Sequence, residues 1–552
     1  MRRRLPLVVP VLLVLLAGCG EEIRHDAPLT VGGLRQAESV AGLSFTDAER
    51  DLMLDELRDQ RDQLRALRAM DLPNDVIPAL VFDPRPGGWS PPADGPAPRW
   101  RDAGDVRRPA DLNALAFASV GELSALLDAR LVTSTELTTL FLDRLRRFGP
   151  ELECVVTLTE ERALARAAAA DREIAAGRRR GPLHGIPYGV KDLLAVPDYP
   201  TTWGAMTHKD QVLPETATAV ARLDAAGAVL CAKLTLGALA MGDVWFGGTT
   251  RNPWDLEQGS SGSSAGPAAA VGAGLVPFAI GSETWGSIVS PSTRCGVTGL
   301  RPTFGRVSRH GAMALSWSMD KLGPMARSAE DCAMVLDAIR GADGKDPTVI
   351  DAAFPYAPEV DWSTLRIGYV KSLFDAERED KALDDQALAM LRGLGARLVP
   401  VELPAMDAMP LSVILTAEAA AAFEELTLSG RDDLLVNQAR YAWPNYFRAA
   451  QFVPATAYVQ ANRARTRLVA AMADVFADVD LYVVPSFGGQ NLLVTNLTGH
   501  PCVAAPNGFT EGDHPHSWTF VGDLFDEATL CAVAQAWQDH TGWNGMHPGR
   551  YR

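Results

Sequence analysis

The chain has 552 residues, 47% of them hydrophobic, and a formal net charge of −16. That length and apolar content allow a large core and about two to four domains. An acidic chain of pI about 5.1 argues against a nucleic-acid binder, because phosphate neutralisation needs a basic surface.

Arg2, Arg3 and Arg4 precede an apolar run from Leu5 to Leu16. This is the pattern of a secretory signal, and it is too short for a good membrane-spanning helix, which needs about 20 residues. The run ends in Leu16-Ala17-Gly18-Cys19, which resembles a bacterial lipobox. The resemblance implies that residues 1–18 are removed and that Cys19 is lipidated, anchoring an exported protein to the membrane of the cell envelope. Gly20, in place of an aspartate, favours the periplasmic or outer-membrane side. An ordinary cleaved signal with an incidental cysteine is the alternative. The other cysteines (154, 231, 295, 332, 502 and 531) form no C-x-x-C pair and have no zinc-ligand spacing. Apolar settings such as Val229-Leu230-Cys231-Ala232 point to buried free thiols.

Residues 20 to about 43 read as a tether. Thr46 with Glu49 three residues on is a capping box, and the charged helix it opens runs to about Met70. Its stripe of Leu54, Leu57, Leu64 and Leu67 is expected to pack on the main body. Proline and glycine over 84–98 predict a linker or an extended wrap. Helix and strand then alternate. Helices are predicted over 121–148, 160–176, 216–226, 329–340, 383–394, 413–428 and 454–476. Strands are predicted over 188–190, 229–232, 365–370, 399–403 and 481–484. The alternation predicts an α/β fold with a mixed sheet. The expected domains are a signal (1–18), a tether, helix and linker region (19–110), and a catalytic domain (111–552).

The tract GSSGSSAGPAAAVGAGLVPFAIGSETWGSIVSPS, from Gly259 to Ser292, is rich in small residues and serines. Unlike a flexible linker, it is interleaved with Ala, Val, Leu, Ile and Phe. Small residues let a backbone approach a substrate closely. Lys191, in GIPYGVKDLL, is flanked by apolar residues that can desolvate it. Serines in such a backbone with a desolvated lysine suggest Ser-Lys nucleophilic catalysis. No G-x-S-x-G elbow with a well-placed helix is evident to support a Ser-His triad, so His184, His310 and His500 read as structural or pocket-lining.

The stretches GPLHGIPYGVKDLLAV (181–196), GSSGSSAGPAAAVGAGL (259–275), GSETWGSIVSP (281–291), CGVTGLRPTFGRVS (295–308) and DKLGPMARSAEDCAMVLDAI (320–339) resemble the amidase signature family. Weaker echoes are VVPSF (483–487) and NLTGHPCVAAPNG (496–508), so the resemblance covers roughly residues 115–540. The version GSETWGSIV is most similar to the peptide-amidase branch. The resemblance implies a mixed β-sheet core covered by helices on both faces. It implies Ser287 as nucleophile, Ser263 as bridging serine on a cis peptide after Gly262, and Lys191 as base. The backbone N–H groups of Thr284, Trp285, Gly286 and Ser287 would form the oxyanion hole. No metal or organic cofactor is required.

Three departures bear on substrate. Trp285 stands where many relatives have glycine and either narrows the pocket or faces the core. Val289 stands where many have arginine, which disfavours a substrate anchored there by a carboxylate. Glu283 replaces an aspartate. Trp285, Val289, Gly262 and Ser264 are the substrate-pocket candidates. The expected function is a secreted, lipid-anchored amide hydrolase acting on a small-molecule or peptide amide. The alternatives are a component like the A subunit of an amidotransferase, or a catalytically inactive envelope lipoprotein that binds an amide or peptide.

Overall fold

The computed structural model describes residues 28–552 except 71 and 511, so the signal segment and Cys19 lie outside the described residues. Two compact units divide between Leu72 and Pro73. In the smaller one, the stretch read as a tether contains a helix, Val31–Ala41. Its signals are local: the Thr30 side chain accepts from Gly33 N, and Gly42 closes the helix in the left-handed region. The helix Asp47–Arg68 opens on the capping box of Thr46 and Glu49. Buried Arg50 joins the two helices by a bidentate bond to Glu38, at 2.8 and 2.7 Å. In the leucine stripe, Leu64 and Leu67 are exposed.

Residues 73–110 belong to the larger unit. The proline-rich stretch is a wrap. Pro92 O accepts from Ala353 N at 2.7 Å, and Arg99 N donates to Tyr356 O at 2.9 Å. Trp100 stacks on Tyr356 with ring centroids 5.1 Å apart.

An eleven-stranded sheet organises the larger unit. Its order across the sheet is Val155–Leu158, Val229–Leu234, Pro187–Lys191, Phe278–Glu283, Lys321–Ala326, Thr298–Arg301, Cys502–Phe509, Pro515–Gly522, Leu481–Pro485, Arg366–Val370 and Arg397–Val401. Pro187–Lys191 pairs in parallel with both its neighbours, as does Arg366–Val370. The remaining pairs are antiparallel, so the sheet is mixed as the alternation predicted.

Successive strand residues point to opposite faces, and here both faces are apolar. Phe278 and Ile280 enter one core cluster while Ala279 enters another. Helices cover both faces, in the arrangement expected of the sequence.

Two predicted helices are each split in two. The 121–148 helix is Val120–Asp128 followed by Ser134–Leu152. Arg130 at φ +56° breaks it, and a capping box of Thr133 and Glu136 starts the second piece. The 413–428 helix divides at Phe423. Among the described residues, six cysteines are free and buried. Among the described residues, no helix is long and apolar enough to cross a membrane.

Candidate active site

Lys191 ends the strand Pro187–Lys191, whose parallel neighbour Phe278–Glu283 leads straight into the turn that carries Ser287. The carboxyl ends of parallel strands are where open α/β sheets place ligands. Ser263 lies just before the helix Ala265–Gly272, on the cis peptide bond Gly262–Ser263. Gly262 is needed for close approach: a Cβ there would lie 1.9 Å from Gly242 O.

The Lys191 amine sits in a ring of hydroxyls. Its Nζ is 2.8 Å from Ser263 Oγ, 2.8 Å from Ser282 Oγ and 3.1 Å from Ser264 Oγ, and it donates to Ser282 O at 3.4 Å. All four side chains are buried. Burial pushes the Lys191 pKa down to about 7, against the opposing pull of Asp320 and Glu283. A lysine so placed can lose its proton near neutral pH, because burial disfavours its charged form. Asp192, adjacent in sequence, turns elsewhere: it pairs with buried Lys233 at 2.8 Å and accepts from Thr202 N at 2.9 Å.

Ser287 is half-buried. Its carbonyl accepts from Ser264 N at 3.1 Å, which ties the Ser287 turn to the Ser263 turn. A second tie is the 2.8 Å contact between the hydroxyls of Ser261 and Ser290. Gly286 has φ +89°, a conformation that L side chains rarely adopt. Among the described residues, no protein group accepts from the backbone N–H of Trp285, Gly286 or Ser287, which leaves these donors free for an oxyanion.

Glu283 holds this turn from behind. Its Oε2 accepts from Ile288 N at 2.8 Å and Val289 N at 3.0 Å. Its Oε1 meets Arg301 Nη1 at 2.7 Å and Asn496 Nδ2 at 2.8 Å. Burial would raise the Glu283 pKa, but Arg301 and these hydrogen bonds outweigh it and hold the carboxyl at about 2.

A cleft reaches the network at Ser282 and Thr284, with Leu193, His310, Leu315 and Asp320 among its walls. Asp320 accepts from Leu315 N and Ser316 N at 2.8 and 2.9 Å, and from the Thr284 hydroxyl at 2.5 Å. None of the four pocket candidates lines this cleft. Val289 is fully buried in the main apolar core. Ser264 is consumed by bonds to Ser282 N and O, at 3.1 and 3.0 Å. Gly262 lies against Gly242, and Trp285 is 38% exposed, outside the core. His310 lines the cleft. His184 is buried and accepts from Arg180 N at 3.1 Å. His500, also buried, stacks on Phe476. Sequence reasoning missed Ser282, Thr284 as a side-chain donor, and Asp320. The motif text GSETWGS contains the first two, but only the register of the strands shows which way they face. Among the described residues, no group of three or more His, Cys, Asp or Glu is placed to hold a metal ion.

Comparison with known proteins gives a consistent result. Residues 136–492 match the family model described as Amidase. The A subunit of the glutamyl-tRNA(Gln) amidotransferase of Halorhodospira halophila is 36% identical over 481 residues, covering 78% of this chain and 98% of that protein. The corresponding protein of an Azoarcus species is 36% identical over 485 residues, covering 78% and 99%. Among solved structures, the native peptide amidase of Stenotrophomonas maltophilia aligns with a TM-score of 0.68 at 32% identity, covering 78% of this chain and 98% of that one.

Proposed function

This chain belongs to the Amidase family, and from that premise we propose an amide hydrolase in which Ser287 is the nucleophile and Ser263 and Lys191 relay its proton. The observation that carries the assignment is the 2.8 Å contact of Lys191 Nζ with Ser263 Oγ in a buried site. A serine hydroxyl is a weak nucleophile until a base takes its proton. Burial lowers the Lys191 pKa to about 7, so the neutral amine able to do so is accessible near neutral pH.

In acylation, Ser287 Oγ bonds to the amide carbonyl carbon. Its proton passes to Ser263, whose own proton moves to Lys191. The carbonyl oxygen becomes an oxyanion facing the free N–H groups of Trp285, Gly286 and Ser287. As the C–N bond breaks, the relay runs backwards and protonates the departing amine. Water then adds to the acyl-Ser287 ester by the same relay, and the carboxylic acid is released. Amine release from a panel of primary, alkyl and aryl amides tests the assignment; a folded protein that releases none counts against it.

A second reading has support of its own. The relatives of 36% identity are A subunits of amidotransferases, and they favour an amidotransferase component with partner subunits more directly than they favour an exported enzyme. Amide hydrolysis by the purified chain alone separates the two. Envelope anchoring rests on Arg2–Arg4, the Leu5–Leu16 run and Cys19. Metabolic labelling with palmitate, lost in Cys19→Ser, tests it.

A further inference from the structure

The cleft above Ser282 and Thr284 is not built from the family-matching region alone. That region begins at residue 136, yet Asp75 and Ile77 share the cleft walls with Leu193, Met313, Leu315 and Leu322. The segment carrying them is held in place at Asn74. Asn74 Oδ1 accepts from Ala314 N at 2.7 Å, and Nδ2 donates to Ala314 O at 2.9 Å. Trp317 Nε1 donates to Asn74 O at 3.3 Å. Ala314 and Trp317 themselves line the cleft, so the latch fixes the strap to the wall it completes.

The local sequence favours this path. Val76 N closes a turn on Pro73 O at 3.0 Å. Pro78 then disfavours helical backbone at Ile77, so the strap leaves the turn extended. Ile77 is half-buried, contributing an apolar side chain beside Leu and Met.

We infer that Ile77 is a specificity-determining residue that limits the size of the apolar part of the amide substrate, and that Asn74 is the positioning residue that keeps it there. The inference rests on the cleft being the substrate site of the hydrolase proposed above. One pocket methylene is worth about tenfold or more in discrimination between substrates, so a change from isoleucine to alanine or tryptophan is readily measured.

The test uses the full chain and two substrate series: p-nitroanilides with acyl groups from acetyl to octanoyl, and acetamides of primary amines from methyl to octyl. The quantity read is the ratio of kcat/KM for the longest to the shortest member, which a partly unfolded sample does not change. Ile77→Ala is expected to raise this ratio at least about tenfold in one series, and Ile77→Trp to lower it by a similar factor. Asn74→Ala is expected to follow Ile77→Ala, with Asn74→Asp, which keeps the acceptor and loses the donor, between it and wild type. Ratios within about twofold of wild type for both Ile77 variants in both series would overturn this inference alone. No turnover of any member by the wild type would overturn the hydrolase assignment and this inference with it.

Discussion

Lys191 Nζ and Ser263 Oγ stand 2.8 Å apart, and both side chains are buried. A charged ammonium is costly in such a place, and the surrounding hydroxyls of Ser263, Ser264 and Ser282 stabilise it only in part. The site therefore favours a neutral amine held against a serine hydroxyl, which is what a base needs.

The rate should follow that amine. Because burial holds the Lys191 pKa at about 7, kcat/KM is expected to rise with pH through about 7 as the proton leaves. The Asp320 carboxylate pulls the other way. Removing its charge in Asp320→Asn disfavours the ammonium further, so the acidic limb of the pH–rate profile should move to lower pH. A limb that stays in place or moves upward would separate it from Lys191.

Lys191→Met should abolish turnover without unfolding the protein. The folded-state pKa lies below the ordinary lysine value of 10.5, so the unfolded chain binds more protons between about 7 and 10.5. The buried lysine therefore destabilises the fold fully below about pH 7, and this penalty fades as pH rises towards 10.5. Thermal melts should show Lys191→Met at or above wild type at pH 7, with the difference narrowing at pH 9 to 10. Turnover near the wild-type level would remove Lys191 as the base.

Glu283→Gln should damage the fold as well as the site. It leaves Arg301 buried without its carboxylate, and breaking one side of a buried pair costs about 3–5 kcal/mol. Urea unfolding reads the loss. Glu283→Asp keeps the charge and is expected to lose less, but the shorter arm cannot hold Arg301 and the amides of Ile288 and Val289 at their present distances. Equal midpoints for the Gln variant and wild type would contradict the clamp.

What was legible in the sequence follows from what carries a local signal. Capping boxes at Thr46 and Thr133 mark true helix starts, although the one at Thr133 is hidden inside a long helical pattern. Strands with apolar runs, such as Val229–Leu234, were visible. Phe278–Glu283 and Lys321–Ala326 were not: both faces are buried, so apolar and polar residues do not alternate, and glycine and proline in them read as loop. That Lys191, Ser263 and Ser287 share one site is what the resemblance to the amidase signature family implies. Their supporting groups, Ser282 and Asp320, depend on cross-strand register, which no single stretch of sequence encodes. Val289 reads as pocket-lining because its distance from the nucleophile is legible and its side-chain direction is not.

The acyl-serine assignment is tested most directly by intact-protein and peptide mass spectrometry after treatment with a fluorophosphonate, which forms a stable adduct with an activated serine. The expected result is one adduct per chain, located on Ser287, absent in Ser287→Ala and strongly slowed in Lys191→Met. Modification of a different serine, or an unmodified folded wild type, would contradict it.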